Sequence, residues 1–312
     1  MKIYLSKPRG FCAGVVRAIE TVEEALKLWG APIYVKHEIV HNRHVVDRLR
    51  DMGAIFIEDL DEVPMGARLI YSAHGVSPKV REHAKARNLI EIDATCGLVT
   101  KVHSAVKRFA GKGYQILLIG HRNHVEVIGT AGEAPDVTTI LENVADVAKL
   151  NFGADEKLFY TTQTTLSLDD VQEVTEALIE KYPHVETLPS SSICYATTNR
   201  QMALRSITDS MDLVLVIGDT TSSNSNRLRE VAETRGIPAY LINDPTEIDL
   251  MWLKGVREIG ITAGASTPED VVQECIAFLQ EQGVDEVEEV TYTEEDVLFQ
   301  LPKQVLVGAS HE

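Results

Sequence analysis

Three of the four cysteines in this chain stand directly ahead of helical patterns, and this repetition limits the possible folds more than any other feature. Cys12, Cys96 and Cys194 are each followed by apolar residues at the three- and four-residue spacing of an amphipathic helix. A β-type run then leads to a polar loop 29, 28 and 28 residues beyond the cysteine, and a second polar loop follows at 62, 68 and 72 residues. We therefore predict three similar units.

Short β-type runs alternate with helical patterns along the chain, which is typical of an α/β fold with parallel sheets. The main runs lie at residues 33–35, 54–57, 68–71, 115–119, 138–141, 158–160, 213–217, 239–242 and 259–261. In such sheets, ligands bind beyond the carboxyl ends of the strands. The alternative, a single α/β sheet in which the matched spacings are incidental, remains open at this stage.

The predicted units are not all continuous in sequence. The boundaries that we predict are residues 1–13 with 194–281 for the first unit, 14–96 for the second, 97–193 for the third and 282–312 for a C-terminal tail. The tail is acidic at first and then β-like at residues 297–301, and the sequence does not reveal its role.

The composition and charge argue against several classes of protein. The 312 residues carry a formal net charge of −17, which repels nucleic acid and anionic membranes. No apolar run approaches the roughly 20 residues of a membrane span, and the apolar residues 3–5 are too few for the core of a signal peptide. Four widely spaced cysteines do not resemble a secreted disulfide framework. We expect a cytoplasmic protein with no nucleic-acid or membrane partner.

The placement of the three cysteines also indicates a chemical role. A helix N-terminus carries partial positive charge and unsatisfied N–H groups, which favour the thiolate form of a cysteine. Three thiolates directed at one centre suit a soft metal or an iron–sulfur cluster, and three ligands on a [4Fe–4S] cluster leave one iron open as a Lewis acid. Ordinary buried cysteines are the alternative, because the long spacings match no compact motif. Cys275, on an apolar helical stripe, is predicted to be such a core residue.

Short hydrogen-bond donors are concentrated in the loops that follow the β-type runs. Histidine, hydroxyl and amide side chains together with helix N-termini can bind a phosphate or diphosphate, although lysine and arginine are scarce in these loops. The donors that we single out are His41, His74, His121, His124, Thr164, Thr165, Ser222, Ser223, Asn224 and Ser266. Plain structural roles stay open, since His41 and His74 can be loop or cap residues and the run 222–224 can be a helix N-cap.

Glu126 is the one carboxylate among these donors. Next to a phosphate its charge is unfavourable unless it is protonated or carries protons for a reaction. It can also be a solvated surface acid, or it can form a zinc site with His121 and His124, although this spacing matches no known zinc-binding helix signature. The residues alone leave these alternatives open.

Nine short motifs occur in chain order within roughly the first 280 residues. They are PRGFCAGV, VHNR, SAHGVS, DATC, LVTKVH, TQTTLS, ICYATTNRQ, SSNSNRL and TAGAS. As a set they resemble the 4-hydroxy-3-methylbut-2-enyl diphosphate reductases, the LytB/IspH family. The resemblance implies three α/β units with pseudo-threefold symmetry around a central [4Fe–4S] cluster, one per chain, with Cys12, Cys96 and Cys194 as its ligands.

The resemblance also implies an activity, the two-electron reductive removal of the hydroxyl group of 4-hydroxy-3-methylbut-2-enyl diphosphate to give isopentenyl and dimethylallyl diphosphates. This is the last step of the methylerythritol phosphate pathway to isoprenoids. The open iron would bind the hydroxyl oxygen, Glu126 would deliver protons with His124 and Thr164 nearby, and an external ferredoxin or flavodoxin would supply electrons. The implied diphosphate-binding residues are His41, His74, His124, Thr165, Ser222, Ser223, Asn224 and Ser266.

Two positions depart from the family pattern, because many members have proline where this chain has Gly97 and Val125. Neither change removes a donor, so we expect activity to survive. Three other classes remain open: a cluster-based hydro-lyase that needs no electron donor, a zinc phosphohydrolase, and a non-catalytic protein that binds phosphorylated ligands. We expect a monomer, because three internal units already surround one site.

Overall fold

The β-strands form three separate parallel sheets. In the computed structural model, which describes residues 1–308, the strands are β1 (Lys2–Lys7), β2 (Ile33–Lys36), β3 (Ala54–Ile57), β4 (Arg68–Tyr71), β5 (Ile90–Asp93), β6 (Gln115–Ile119), β7 (Thr138–Leu141), β8 (Leu158–Thr162), β9 (Leu213–Ile217), β10 (Ala239–Ile242), β11 (Glu258–Ala263) and β12 (Glu286–Thr291). Their orders in the sheets are β10-β9-β11-β1-β12, β3-β2-β4-β5 and β7-β6-β8. Each of the nine main β-type runs named above lies in one of these strands.

The three sheets share one local strand order. In each sheet, the first of three successive strands lies between the other two: β2 between β3 and β4, β6 between β7 and β8, and β9 between β10 and β11. This repetition confirms an α/β fold with three similar parallel-sheet units. It also shows that the alternative, a single sheet with incidental spacings, is wrong.

Helices connect most of the strands. They are α1 (Ala13–Trp29), α2 (Arg43–Asp51), α3 (Pro78–Ala86), α4 (Gly97–Ala110), α5 (Val125–Ala131), α6 (Val144–Lys149), α7 (Leu168–Lys181), α8 (Tyr195–Thr208), α9 (Ser223–Glu233), α10 (Glu269–Glu281) and α11 (Lys303–Gly308), with short 3-10 helices at Leu60–Glu62, Pro135–Val137, Pro245–Glu247 and Leu250–Leu253. As the apolar spacing predicts, α1, α4 and α8 begin directly after Cys12, Cys96 and Cys194. Within residues 1–308, no helix is both long and apolar enough to cross a membrane.

The chain divides into two compact units, of which the first contains Met1–Val15, His41–Val45 and Tyr195–Leu298. This unit holds the five-stranded sheet. Apolar side chains of its strands pack against α10 and are fully buried. Each such side chain stabilises the fold by about 1.5–3 kcal/mol relative to an exposed one.

The acidic start of the C-terminal tail forms the edge strand β12. This strand pairs in parallel with β1, with Lys2 opposite Glu286, and Lys2 Nζ lies 2.8 Å from Glu286 and 2.7 Å from Glu288. An edge strand held by backbone pairing and ion pairs lacks the apolar pattern that marks a strand in sequence. By contrast, the β-like run at 297–301 is not a strand.

The second unit contains Val16–Val40, Val46–Cys194 and the chain from Phe299 onward, and it holds the other two sheets. The helix that begins after Cys96, α4, packs its apolar face on the sheet β7-β6-β8. Phe109 of α4 stacks on the buried Phe159 of β8 with 3.8 Å between ring centroids. This packing anchors the helix whose N-terminus carries Cys96.

Candidate active site

Each of the three cysteines is fixed by the same kind of backbone contact. The cysteine N–H donates a hydrogen bond to a carbonyl in the loop after a strand. The pairs are Cys12 with Ala265 O (3.2 Å), Cys96 with Ala73 O (3.0 Å) and Cys194 with Thr164 O (3.0 Å). These loops follow β11, β4 and β8. The repeat was recognised from the two polar loops that follow each cysteine along the chain. The loop that each cysteine N–H contacts is not one of the two counted from that cysteine.

The thiols of these three cysteines differ from that of Cys275. Cys12, Cys96 and Cys194 are partly exposed thiols, whereas Cys275 is fully buried in the core of the first unit. Burial raises the pKa of Cys275 to about 12, so this thiol stays protonated. The prediction that Cys275 is a core residue is confirmed. A partly exposed cysteine at a helix N-terminus is the kind of donor that an iron–sulfur cluster requires, and each of the three cysteines is of this kind.

Cys12 follows a tight turn of the chain. Gly10 has a φ of 64°, and a Cβ at this position would lie 3.2 Å from Thr267 O, so the turn requires glycine. The Tyr195 hydroxyl accepts a hydrogen bond from Ala13 N–H at 3.3 Å, which satisfies a donor at the start of α1. Burial and the nearby charge of Cys12 raise the pKa of Tyr195 to about 12, so its hydroxyl stays neutral. The sequence does not single out Tyr195.

In the first unit, the turn after β11 connects several of the candidate binding residues. Ala265 N–H donates to Asn224 Oδ1 at 2.8 Å, while the Ala265 carbonyl accepts from Cys12 N–H. The Ser266 hydroxyl donates to His41 O at 2.9 Å. This turn therefore brings Asn224, Ser266 and His41 together in the unit that contains Cys12.

Ser222 is the N-cap of α9, because its Oγ accepts a hydrogen bond from Ser225 N–H at 3.3 Å. Ser223 and Asn224 are the first residues of this 11-residue helix, and Asn224 Nδ2 donates to Thr197 Oγ1 at 3.3 Å. The N-cap interpretation thus holds for Ser222. The helix end that it caps also carries the partial positive charge and N–H groups that favour an anion.

In the second unit, Glu126 lies inside the protein and is only 2% exposed. Thr164 N–H donates to its Oε1 at 2.6 Å, and the Thr164 hydroxyl donates to its Oε2 at 2.9 Å. Because Thr164 O also accepts from Cys194 N–H, one residue links the carboxylate to a cysteine. The alternative that Glu126 is a solvated surface acid is therefore wrong.

His124 caps the N-terminus of α5 with its imidazole ring. Its Nδ1 accepts a hydrogen bond from Glu126 N–H at 3.2 Å, so the proton of the neutral ring is on Nε2. The His74 ring lies edge-on to the His124 ring with 6.1 Å between centroids. His74 Nδ1 is also 3.2 Å from the Ser72 hydroxyl. Two candidate histidines thus lie side by side, and one of them contacts the backbone N–H of Glu126.

Gln163 is a buried residue of the TQTTLS motif that the sequence does not single out as a site residue. Its Nε2 donates to Thr165 Oγ1 at 3.0 Å, and its Oε1 accepts from His121 N–H at 3.0 Å, so it couples the loops after β6 and β8. Among the described residues, the ligand atoms of His121, His124 and Glu126 do not all lie within 4.8 Å of one another. The alternative zinc site is therefore not formed.

The fold and these residues define a class of protein. It is a three-sheet α/β protein in which cysteine-headed helices and polar loops follow the carboxyl ends of parallel strands. A family model described as "LytB protein" matches residues 3–280 of the chain. The chain belongs to the LytB family.

Known relatives agree with this assignment. A protein from Protochlamydia amoebophila is 75% identical over 98% of both chains, and one from Chlamydia trachomatis serovar D is 65% identical over 97% of this chain and 99% of its own. Both are named 4-hydroxy-3-methylbut-2-enyl diphosphate reductase.

Two solved structures are similar to the whole fold. The E-1-hydroxy-2-methyl-but-2-enyl-4-diphosphate reductase from Plasmodium falciparum is 52% identical, with a TM-score of 0.97 over 99% of this chain and 98% of that one. A second structure, titled (E)-4-hydroxy-3-methyl-but-2-enyl diphosphate reductase, the terminal enzyme of the non-mevalonate pathway, is 31% identical with a TM-score of 0.64. It is matched over 90% of this chain and 99% of its own length.

Proposed function

We propose that this chain reduces 4-hydroxy-3-methylbut-2-enyl diphosphate to isopentenyl and dimethylallyl diphosphates, the last step of the methylerythritol phosphate pathway. The observation that carries the proposal is the buried Glu126 carboxylate, which Thr164 holds by two hydrogen bonds in the unit that also contains Cys96 and Cys194. The names of the relatives support the substrate and the type of reaction.

Cys12, Cys96 and Cys194 are the proposed ligands of one [4Fe–4S] cluster per chain. All three are partly exposed residues at helix N-termini, where the partial positive charge suits the anionic sulfur ligands of such a cluster. When bound, the cluster supplies electrons and an open iron that acts as a Lewis acid toward the substrate hydroxyl. The pseudo-threefold arrangement around the cluster, with unit boundaries after residues 13, 96 and 193, is part of this proposal.

Glu126 is the proposed proton donor. Hydroxide is a poor leaving group, and protonation lets it depart as water. The carboxylate that remains is stabilised by the N–H and hydroxyl of Thr164, so the same two contacts orient the group and lower the cost of its charge. The whole reaction consumes two electrons and two protons and releases one water molecule.

The proposed diphosphate site uses neutral donors and a helix end. In the second unit, His124 can donate from Nε2 and the His74 ring lies beside it. In the first unit, the N-terminus of α9 adds N–H groups and partial positive charge. The full proposed set is His41, His74, His124, Thr165, Ser222, Ser223, Asn224 and Ser266. Convergent donors can hold an anion even in a chain of net charge −17.

The proposed electron donor is an external protein of the ferredoxin or flavodoxin type, because the reaction needs more electrons than the chain can store between turnovers. We further propose that the protein acts as a cytoplasmic monomer. Its small-molecule partner is the diphosphate substrate, and neither nucleic acid nor a membrane takes part.

Anaerobic purification, with iron and sulfide analysis, visible absorption and turnover assays, tests the proposal. We expect about four iron and four sulfide ions per chain, and turnover only with a reduced electron donor. Turnover without a donor would indicate a hydro-lyase, and diphosphate binding without turnover would indicate a binding protein. A colourless, iron-free protein that cannot be reconstituted would contradict the proposal.

Glu126→Gln tests the proposed proton donor. This variant should keep its iron and lose turnover by about a hundredfold to ten-thousandfold. Glu133→Gln is the matched control, because the Glu133 side chain is only 6% exposed and its Oε1 lies 3.0 Å from His103 Nδ1 in the same unit. The control should keep most of its turnover. Undiminished turnover in Glu126→Gln would remove Glu126 from the mechanism.

A further inference from the structure

A buried arginine holds the loop ahead of Cys12 in the first unit. Arg200, on α8, is fully buried. Its Nε and Nη2 donate to Gly10 O at 3.1 and 2.8 Å, and Nη2 also donates to Phe11 O at 3.4 Å. Its Nη1 donates to Glu295 Oε1 at 3.1 Å. A carboxylate near the C-terminus of the chain thus neutralises the cation that fixes this loop.

A second arginine holds the loop ahead of Cys96 in the second unit. Arg17 donates from Nη1 to Thr95 O at 2.9 Å, from Nη2 to Asp93 O at 3.1 Å and from Nε to Gln300 O at 2.7 Å. Burial lowers the pKa of Arg17, and the charges of Asp93 and Cys96 oppose this lowering. Two of the three Arg17 acceptors are thus the carbonyls of Asp93 and Thr95, three residues and one residue ahead of Cys96.

One short stretch of the chain contacts both arginines, residues 295–300, which we call the C-terminal segment. Its first residue is the carboxylate partner of Arg200, and its last residue provides the carbonyl acceptor for Arg17. Between them, the Phe299 ring lies 3.6 Å from the position that a Cβ of Gly97 would occupy. The segment therefore also borders the start of α4.

We propose that Arg200 and Arg17 are positioning residues for Cys12 and Cys96, and that the C-terminal segment, by binding both arginines, sets how tightly the chain retains its iron–sulfur cluster. The inference rests on the proposed function, since it requires that these cysteines bind a cluster. Each arginine acts through carbonyls that lie one to three residues ahead of a cysteine.

The guanidinium group suits this task because its donors lie in a rigid planar fork. A carbonyl held by such a fork resists rotation, so the backbone that carries the cysteine keeps one conformation. Residues that orient metal ligands without touching the metal commonly change metal affinity by about tenfold to a hundredfold when they are replaced. Loosening either loop should therefore speed the loss of the cluster from the folded protein.

Arg17→Lys tests the loop of Cys96, because lysine keeps the charge and loses the planar fork. In the full-length holoprotein, held without oxygen with excess EDTA well below its melting transition, the decay of visible absorbance gives the rate of cluster loss. We expect this rate to rise by about tenfold to a hundredfold. Arg87→Lys is the matched control, since Arg87 pairs with Asp61 and donates to Val63 O at 2.7 Å, away from the cysteine loops.

Glu295→Gln tests the loop of Cys12 with little change in shape. The variant should also lose its cluster faster, and its cluster should have a higher reduction potential, because the Arg200 charge then lacks its counter-ion. Glu294→Gln is the matched control, since Glu294 is exposed and pairs with Lys7 at 3.1 Å. A role in stability alone would lower the melting temperature and leave the potential unchanged.

Cluster-loss rates and potentials equal to those of the controls would overturn the proposal. Failure of both variants to fold would overturn it as well, because the contacts would then serve stability alone. If only one variant folds, its own rate and potential decide the outcome. A wild-type chain that takes up no cluster would refute the proposed function instead, so the two failures can be told apart.

Discussion

The loops that precede Cys12 and Cys96 are both held by an arginine, but the two guanidinium groups have different surroundings. Arg200 is fully buried, and the side chain of its carboxylate partner Glu295 is only 14% exposed. Arg17 is partly exposed, and its three acceptors are all backbone carbonyls. The difference follows from burial, because a charge removed from water needs an ion pair, whereas a charge that water still reaches needs only dipoles.

The two ends of the C-terminal segment differ in the kind of group that contacts the arginine. The loop of Cys12 depends on a side chain of the segment, which a single substitution can remove. The loop of Cys96 depends on a main-chain carbonyl, which every residue carries. Substitutions in the segment should therefore disturb the loop of Cys12 more than the loop of Cys96.

The largest effect on stability is expected for Glu295→Ala. This change leaves the charge of Arg200 buried without its partner, which typically costs about 3–5 kcal/mol of unfolding free energy. Urea unfolding of the full-length protein measures the loss. Glu294→Ala, at the neighbouring exposed position, should stay within about 0.5 kcal/mol of wild type. If the two variants were equally stable, the ion pair would not be what permits the burial of Arg200.

A smaller loss is expected for Arg17→Ala. The variant removes three hydrogen bonds, two partly buried and one exposed, but it leaves no unpaired charge inside the protein, so we expect a cost of about 1–3 kcal/mol in urea unfolding. Its iron content after reconstitution should fall below that of Arg87→Ala, which loses similar contacts elsewhere. A cost as large as that of Glu295→Ala would mean that the two cysteine loops depend equally on their arginines.

The free energy of unfolding should also depend on pH through Asp93, where β5 ends and the loop ahead of Cys96 begins. Burial raises the pKa of Asp93, but the hydrogen bond from Thr95 and the charge of Arg81, 2.8 Å away, lower it below its usual value. Such a carboxylate stabilises the folded state above about pH 4, and this contribution is lost as the pH falls through the lowered pKa.

Asp93→Asn should abolish this contribution. The difference between wild type and variant in the urea midpoint should be largest near about pH 6 and should shrink toward about pH 3. A difference that stays constant over this range would show that the charge of Asp93 does not stabilise the loop.

The smallest effect is expected for Gln300→Ala. Its side chain is exposed, and its contact with Arg17 uses the backbone carbonyl. Stability should stay within about 0.5 kcal/mol of wild type, and the rate of cluster loss should not change. Faster cluster loss would mean that the side chain contributes, and the contrast with Glu295 would be weaker than we infer.

Strands with continuous apolar sequence were predictable, and the acidic edge strand was not. β9 is buried at every position, so its run of apolar residues was a dependable signal. β12 is almost wholly exposed, and its pairing with β1 relies on backbone hydrogen bonds and on lysine–glutamate pairs. Such a strand becomes visible only when its neighbour in the sheet is known.

The polar contacts of the site were harder to predict than the elements that carry them. Glu126 and Thr164 lie 38 residues apart in sequence, and Arg200 lies 190 residues from Gly10. The motifs pointed to Glu126 and Thr164 as residue types suited to the chemistry. Arg200 lies in the motif ICYATTNRQ, but no local pattern indicated a role for it or for Arg17, because an arginine that will donate to distant carbonyls looks in sequence like any other arginine.

The sequence by itself determined the α/β class, the threefold repetition and the position of a cysteine at the head of each repeated helix. These properties follow from local periodicity and from the chemistry of single residues. Only the tertiary structure decided which loop each cysteine N–H contacts, since this loop is not one of the two that follow the cysteine in the predicted repeat. It also decided that Ser222 caps a helix and that the C-terminal segment contacts Arg200 and Arg17. The physical reason is that hydrogen bonds between residues far apart in sequence form only once the strands are in register and the helices are packed against them.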